Sequence, residues 1–264
     1  MLEIFGFTRE PFVHPVTLGE SFSTRAGREA AKRLQYGVQL RGLVLLLGPS
    51  GSGKTTLLRS VLEPLPPSLY QTLTLSFSSG SSLDILMNVA ARLGLPLNNY
   101  RGRLAHAIQR ECAHLAERRV HPIVSVDDAQ YLPNPALQDL RLLMSANLDA
   151  LQCFTLILSA HDDLEGRLRT PWLTPLRQRV TTWARLTPLQ PDETEPYLAH
   201  RLKIAGVPVN LFTAPAVSAL HQLSNGLLRP LDRLAHHALL AAALEKAREV
   251  SEEHVRLAAE EVGL

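Results

Sequence analysis

The apolar positions of this chain repeat with two periods up to about residue 188 and with only one after it. Leu43-Val44-Leu45-Leu46-Leu47 is a short unbroken apolar run, the mark of a strand buried on both faces. Residues 72–77, 122–126, 154–159 and 180–186 are further strand-like runs. Between them, 56–62, 82–95, 103–118 and 137–148 carry helical spacing; Leu104, Ala105, Ile108, Cys112 and Leu115 fall on one face. Strands alternating with helices predict a parallel sheet covered on both sides. Beyond Pro188 to Pro191 the strand signal stops, and 193–205, 215–223, 231–248 and 251–261 all predict helices. Ser251 is a good N-cap, but His254 three residues on does not complete a capping box of the usual kind. Residues 1–40 read as turns and one amphipathic helix, roughly Arg25 to Gln39. The predicted organisation is an N-terminal segment (1–40) packing on the site described next, an α/β domain (41–188) and a small all-helical domain (189–264).

The chemistry starts where the first strand ends. Gly48-Pro49-Ser50-Gly51-Ser52-Gly53-Lys54-Thr55 reads G-x-x-x-x-G-K-T, set between a buried strand and a helix that continues through Thr56. The unpaired N–H groups and positive dipole end of that helix face an anion. Glycines let the backbone close round phosphate oxygens without a Cβ in the way. Lys54 is placed to reach the β- and γ-phosphates, and the Thr55 hydroxyl to ligate Mg²⁺. Val124-Ser125-Val126-Asp127-Asp128 is an apolar strand tipped by two carboxylates. Asp127 reads as the second Mg²⁺ partner and Asp128 as the group that polarises the attacking water; the competing reading is two acids capping the next turn.

Ser159 and His161 follow the next strand, and either suits sensing the γ-phosphate; Ser159 or Asp162 equally suits capping a helix that starts near Asp162. Arg167, Arg169, Arg177, Arg179 and Arg185 crowd a stretch whose only acid is Glu165. Arg177 or Arg179 is favoured to reach a neighbouring subunit's γ-phosphate, against the alternative of a solvated basic face. Arg229, in Gly226-Leu227-Leu228-Arg229, is expected to touch phosphate from the helical domain.

Composition changes this picture little. The chain has 264 residues, 45% hydrophobic and 20% charged, with a net charge of +2, an ordinary balance for a globular protein. Cys112 and Cys153 stand too far apart for a metal-ligand pair and read as buried thiols of a reducing compartment. There is no signal-peptide pattern and no apolar run long enough to span a membrane, so a cytoplasmic location is expected.

Taken together these motifs resemble the AAA+ ATPases, and most nearly the ExeA-type group, which shades into the transposon ATPases TniB, TnsC and MuB. Phe5-Gly6-Phe7 with Pro11-Phe12, Asp127-Asp128-Ala129-Gln130-Tyr131-Leu132, Leu176-Arg177-Gln178-Arg179-Val180, Pro188-Leu189 with Glu193-Thr194, His200-Arg201-Leu202, Ala205-Gly206 and the Arg229 motif carry the resemblance. It implies an AAA+ phosphate-loop NTPase with a five-stranded parallel sheet and a helical lid, binding ATP with Mg²⁺ between subunits of a ring or helical filament. Pro11-Phe12 is the guess for the adenine pocket.

Three functions are compatible. The first is a regulator of DNA transposition that oligomerises on double-stranded DNA with ATP and directs a DDE transposase. The chain's ending after the lid, and Arg101, Arg103, Arg110, Arg118 and Arg119 among only Glu111 and Glu117, favour it, as phosphate-neutralising residues or else a solvated helix face. The second is an ExeA-like secretion or envelope-assembly ATPase acting on protein partners. The third is another AAA+ nucleotide switch, such as a helicase loader. The ExeA-type pattern has Glu where this chain has Asp128, a side chain shorter by one C–C bond, ~1.5 Å. Slow, partner-stimulated hydrolysis is therefore expected. Asp128→Glu should raise the turnover measured in a steady-state ATPase assay; an equal or lower rate counts against Asp128 as the water-activating group.

Overall fold

The computed structural model describes residues 2–13, 17–76, 81–146 and 151–263. In chain order it holds α1 (Leu2–Phe5), α2 (Arg25–Gln39), β1 (Leu43–Leu47), α3 (Lys54–Leu62), β2 (Tyr70–Ser76), α4 (Ser82–Arg92), α5 (Arg101–Glu117) and β3 (His121–Asp127). There follow α6 (Asn134–Leu143), β4 (Ser145–Ala146), β5 (Leu151–Gln152), β6 (Thr155–Ala160), α7 (Asp163–Leu168), α8 (Thr174–Arg177) and β7 (Val180–Arg185). Four helices complete it: α9 (Pro191–Ile204), α10 (Ala214–Ser224), α11 (Leu228–Leu244) and α12 (Glu252–Val262). The chain divides into two compact units: Glu29–Gly48 with Leu57–Leu186, and Met1–Arg28 with Pro49–Thr56 and Thr187–Leu264.

The first unit is built on a five-stranded sheet in the order β2-β3-β6-β1-β7, every pair parallel. All five residues of β1 are fully buried, since β1 lies between β6 and β7 and has no solvent face. At the edge, β7 alternates buried and open positions. The parallel arrangement puts the carboxyl ends of β1, β3 and β6 on one edge, where ligands of open α/β sheets bind. Cys112 and Cys153 are both free and buried in this core, and burial pushes the Cys112 thiol up to about 12, so it stays protonated.

One predicted element is corrected. The helix expected over 137–148 starts earlier and ends at Leu143. The Met144 carbonyl accepts from the Cys153 N–H at 2.7 Å, and Ser145–Ala146 pairs antiparallel with Leu151–Gln152. The run of Leu137, Leu140 and Leu143 ends there, leaving no apolar stripe to hold another turn. Residues 147–148 of that prediction and residue 77 of the predicted second strand lie outside the described residues.

The second unit packs α9 to α12 round a core of Leu198, Leu202, Leu220, Leu231, Leu234 and Leu239. Here the expectation of an incomplete capping box is overturned. The Ser251 N–H donates to His254 Nδ1 at 2.9 Å, so the imidazole takes the place of a Glu carboxylate. With Nδ1 accepting, the ring proton sits on Nε2, which meets Glu245 Oε2 at 3.1 Å.

A buried polar group ties the N-terminal segment to these helices. The Tyr197 hydroxyl donates to Asp232 Oδ1 at 2.5 Å, and Arg201 lies 3.3 Å from Asp232 Oδ2. Arg201 also donates to the Pro11 carbonyl at 2.7 Å and stacks 5.6 Å from the Phe12 ring centre. Burial, then the Asp232 charge, holds the Tyr197 hydroxyl well above its usual range, which keeps it a donor. Arg201 and Asp232 are almost wholly buried, and removing one leaves the other an uncompensated charge. Arg201→Met should cost about 3–5 kcal/mol, lowering the thermal midpoint followed by circular dichroism by roughly 6–20 °C. Asp232→Leu in the same chain should recover part of the loss; an unshifted midpoint in the single variant would contradict this account.

Candidate nucleotide site

The turn between β1 and α3 is shaped by two glycines that no other residue type replaces without strain. Gly51 has φ +77° and Gly53 φ +93°, the left-handed region. A Cβ at Gly51 would lie 2.8 Å from Arg229 Cβ, and one at Gly53 3.2 Å from Leu228 Cδ1. The Arg229 N–H donates to the Gly51 carbonyl at 3.2 Å. Arg229, expected to touch phosphate, stands in the first turn of α11 directly on the loop. Inside the loop the Ser52 N–H and Lys54 Nζ both donate to the Pro49 carbonyl, at 3.3 and 2.9 Å. Lys54 is buried along its length, and its ammonium thus lies folded over the turn.

These residues fit a nucleoside triphosphate. The cradle is free of Cβ atoms at both left-handed positions, and the N-terminus of α3 supplies N–H groups without helical partners. The buried Ser52 Oγ has no hydrogen-bond partner among the described residues, an orphan that a phosphate oxygen would satisfy.

In the sheet unit, Asp127 ends β3 and is joined by Ser159 of β6, whose Oγ donates to Asp127 Oδ1 at 2.7 Å. Ser159 is fully buried. Neither alternative cap holds: α7 begins after Asp162 with no side-chain cap, and Asp162 instead pairs with Arg185 at 3.2 Å. The Gly48 N–H donates to the Ala160 carbonyl at 3.3 Å, so the start of the loop and the two acids share the carboxyl edge, with β6 between.

Asp128 is exposed and stands at φ +54°, ψ +38°, a left-handed conformation that Asp tolerates. Its Oδ1 accepts from Gln130 Nε2 at 3.0 Å, and the other end of that amide, Oε1, accepts from the His161 N–H at 3.2 Å. The alternative of Asp128 as a cap fails, since it makes no side-chain cap bond to the turn that follows. His161 thus meets this group through its backbone. Gln130 was given no role from sequence; it stands in the quoted motif, and its position two residues past an acid was the available signal.

The five crowded arginines separate. Arg167 is bound at three oxygens, Gln130 O at 2.6 Å and Leu132 O and Asn134 Oδ1 at 2.7 Å each, and braces the segment after β3. Arg169 and Arg185 pair with Glu165, whose carboxyl those contacts, Arg185 first, hold below its ordinary range. Arg177 ends α8 in an exposed position and Arg179 is half-buried beside β7. Of the arginines on α5 and just after it, Arg101 pairs with Asp139 and Arg103 stacks 5.1 Å from the Tyr100 ring, while Arg110 and, beyond the helix end, Arg118 and Arg119 are exposed. Among the described residues no cluster of His, Cys, Asp and Glu is suited to hold a metal by itself, and no helix is long and apolar enough to cross a membrane.

Residues 38–168 match the AAA domain family. The chain is 33% identical over 265 aligned positions to general secretion pathway protein A of Aeromonas hydrophila, covering 98% of this chain and 48% of that protein. It therefore spans about half the length of that relative. Among solved structures, Cdc6p from Pyrobaculum aerophilum superposes with a TM-score of 0.75 at 19% identity, covering 97% of this chain and 72% of that one. The Aeropyrum pernix ORC1 protein in complex with DNA gives 0.71 at 18% identity, over 97% and 70%. At those identities the likeness is one of fold. With a phosphate-loop pattern directly after β1 and a five-stranded parallel sheet, residues 38–168 are similar to the AAA domain family, and nearly the whole chain is similar to about half of general secretion pathway protein A.

Proposed function

We propose that this chain is a nucleotide-driven switch of the secretion or envelope-assembly kind, acting on protein partners and assembling with copies of itself. The contact of the Arg229 N–H with Gly51 carries the switch: the loop that would grip phosphate and the first turn of α11 are hydrogen-bonded to one another. A change at the loop on binding or hydrolysis is thus felt by the helical unit. The 33% identity to general secretion pathway protein A along nearly the whole chain favours protein partners.

In this reading Gly48 to Thr56 and Arg229 hold the triphosphate, Lys54 neutralises its β- and γ-oxygens, and Thr55 and Asp127 hold Mg²⁺. The metal would offset phosphate charge as it develops. Asp128 accepts the proton of the attacking water, and Ser159 holds Asp127 in place. Arg177 or Arg179 reaches the γ-phosphate bound to a neighbouring copy. Lys54→Ala should weaken ATP binding roughly 10- to 100-fold, the worth of one charged hydrogen bond. Arg179→Ala should spare binding and slow hydrolysis. Fluorescent-nucleotide titration and a phosphate-release assay read the two effects, and unchanged affinity in the first variant would overturn the site.

A second reading, the DNA-transposition regulator serving a DDE transposase, is kept because of one surface. Arg103, His106 and Arg110 line a recess of about 410 Å³ along α5, with exposed Arg118 and Arg119 just beyond the helix. Four phosphate contacts there would cut duplex-DNA retention by the ATP-loaded protein roughly a hundredfold between 50 and 200 mM salt. Filter binding checks this: such a fall supports the DNA reading, and no retention in any nucleotide state leaves the protein-partner reading alone.

A further inference from the structure

We propose that Gln130 is a positioning residue for ATP hydrolysis, tying the carboxylate of Asp128 to the backbone that follows β6. The inference rests on Asp128 as the water-activating group. An exposed aspartate has several rotamers open to it, and a base works only when it is within hydrogen-bond reach of its water. Here a single amide selects the rotamer. Nε2 of Gln130 donates to Asp128 Oδ1 at 3.0 Å, which leaves Oδ2 as the proton acceptor. Oε1 of the same amide accepts the His161 N–H at 3.2 Å, so donor and acceptor ends are both used and the amide orientation is determined.

The amide is held from behind. Arg167 donates to the Gln130 carbonyl and, through its other terminal nitrogen, to Leu132 O and Asn134 Oδ1. The backbone of Asp128 is set by its own contacts, its N–H donating to Asp127 Oδ1 at 3.1 Å and its carbonyl accepting from the Tyr131 N–H at 3.1 Å. Both acids at the tip of β3 are therefore tethered to the same short segment, Asp127 by the Ser159 hydroxyl and Asp128 through Gln130 to His161. A shift of residues 159–161 moves the metal-binding and water-activating carboxylates together.

Single-turnover hydrolysis and ATP affinity, measured on the full chain, test this. Gln130→Ala should slow hydrolysis about five- to tenfold, the worth of one hydrogen bond of ~1 kcal/mol or slightly more, with ATP affinity unchanged. Gln130→Glu keeps the shape and still accepts from His161 but turns the donor to Asp128 into a second acceptor, so it should be at least as slow. In an Asp128→Asn background, where hydrolysis is already lost to its residual level, Gln130→Ala should cost nothing further. Wild-type hydrolysis by Gln130→Glu, or an undiminished Gln130→Ala effect in the Asp128→Asn background, would show a merely structural glutamine and overturn the inference while leaving the reading of Asp128 intact. Wild-type hydrolysis by Asp128→Asn alone would overturn that reading and the inference with it.

Discussion

A fully buried parallel strand must become a helix within six residues, and that constraint organises everything else in this molecule. At the end of β1 the amide ladder is satisfied by its neighbours, whereas the first turn of α3 exposes N–H groups that no helical carbonyl reaches. The chain bridges the two states with left-handed backbone at Gly51 and Gly53. Because Gly51 has no Cβ, Arg229 packs against it and donates to its carbonyl. The same feature that opens an anion cradle thus allows a helix of the second unit to lie on the cradle. A side chain at that position would disturb both at once, through strain and through a clash of Cβ atoms.

The acids at the opposite side of β6 are arranged by a different logic. Two carboxylates in succession repel, and each is restrained by a neutral donor, the Ser159 hydroxyl for Asp127 and the Gln130 amide for Asp128. Neutral donors fix geometry without cancelling the charge that a cation or a proton transfer needs. The nearby cations are spent otherwise: Arg167 on carbonyl oxygens, and Arg169 and Arg185 on Glu165.

Much of this was legible in the sequence because the governing signals are local. The wholly apolar Leu43–Leu47 announced a central strand, the glycine spacing announced the turn, and Arg25–Gln39 was recovered at both ends. What was not legible depended on partners distant in the chain. The premature end of α6 comes from the Cys153 N–H reaching back to Met144. The capping role of His254 needed a ring tautomer fixed by Glu245. Gln130 looked like one more polar residue until His161, far along the chain, supplied the other half of its hydrogen bonding.

The central claim is that Mg²⁺-ATP is gripped by residues 48–55 together with Asp127, and that the lid helix feels it through Arg229. Amide hydrogen exchange with and without Mg²⁺-ATP tests it most directly. The account predicts slower exchange at 49–56, at 127–130 and in the first turn of α11, appearing together as nucleotide is added. Slowed exchange elsewhere in the chain, with residues 49–56 unaffected at saturating nucleotide, would contradict it.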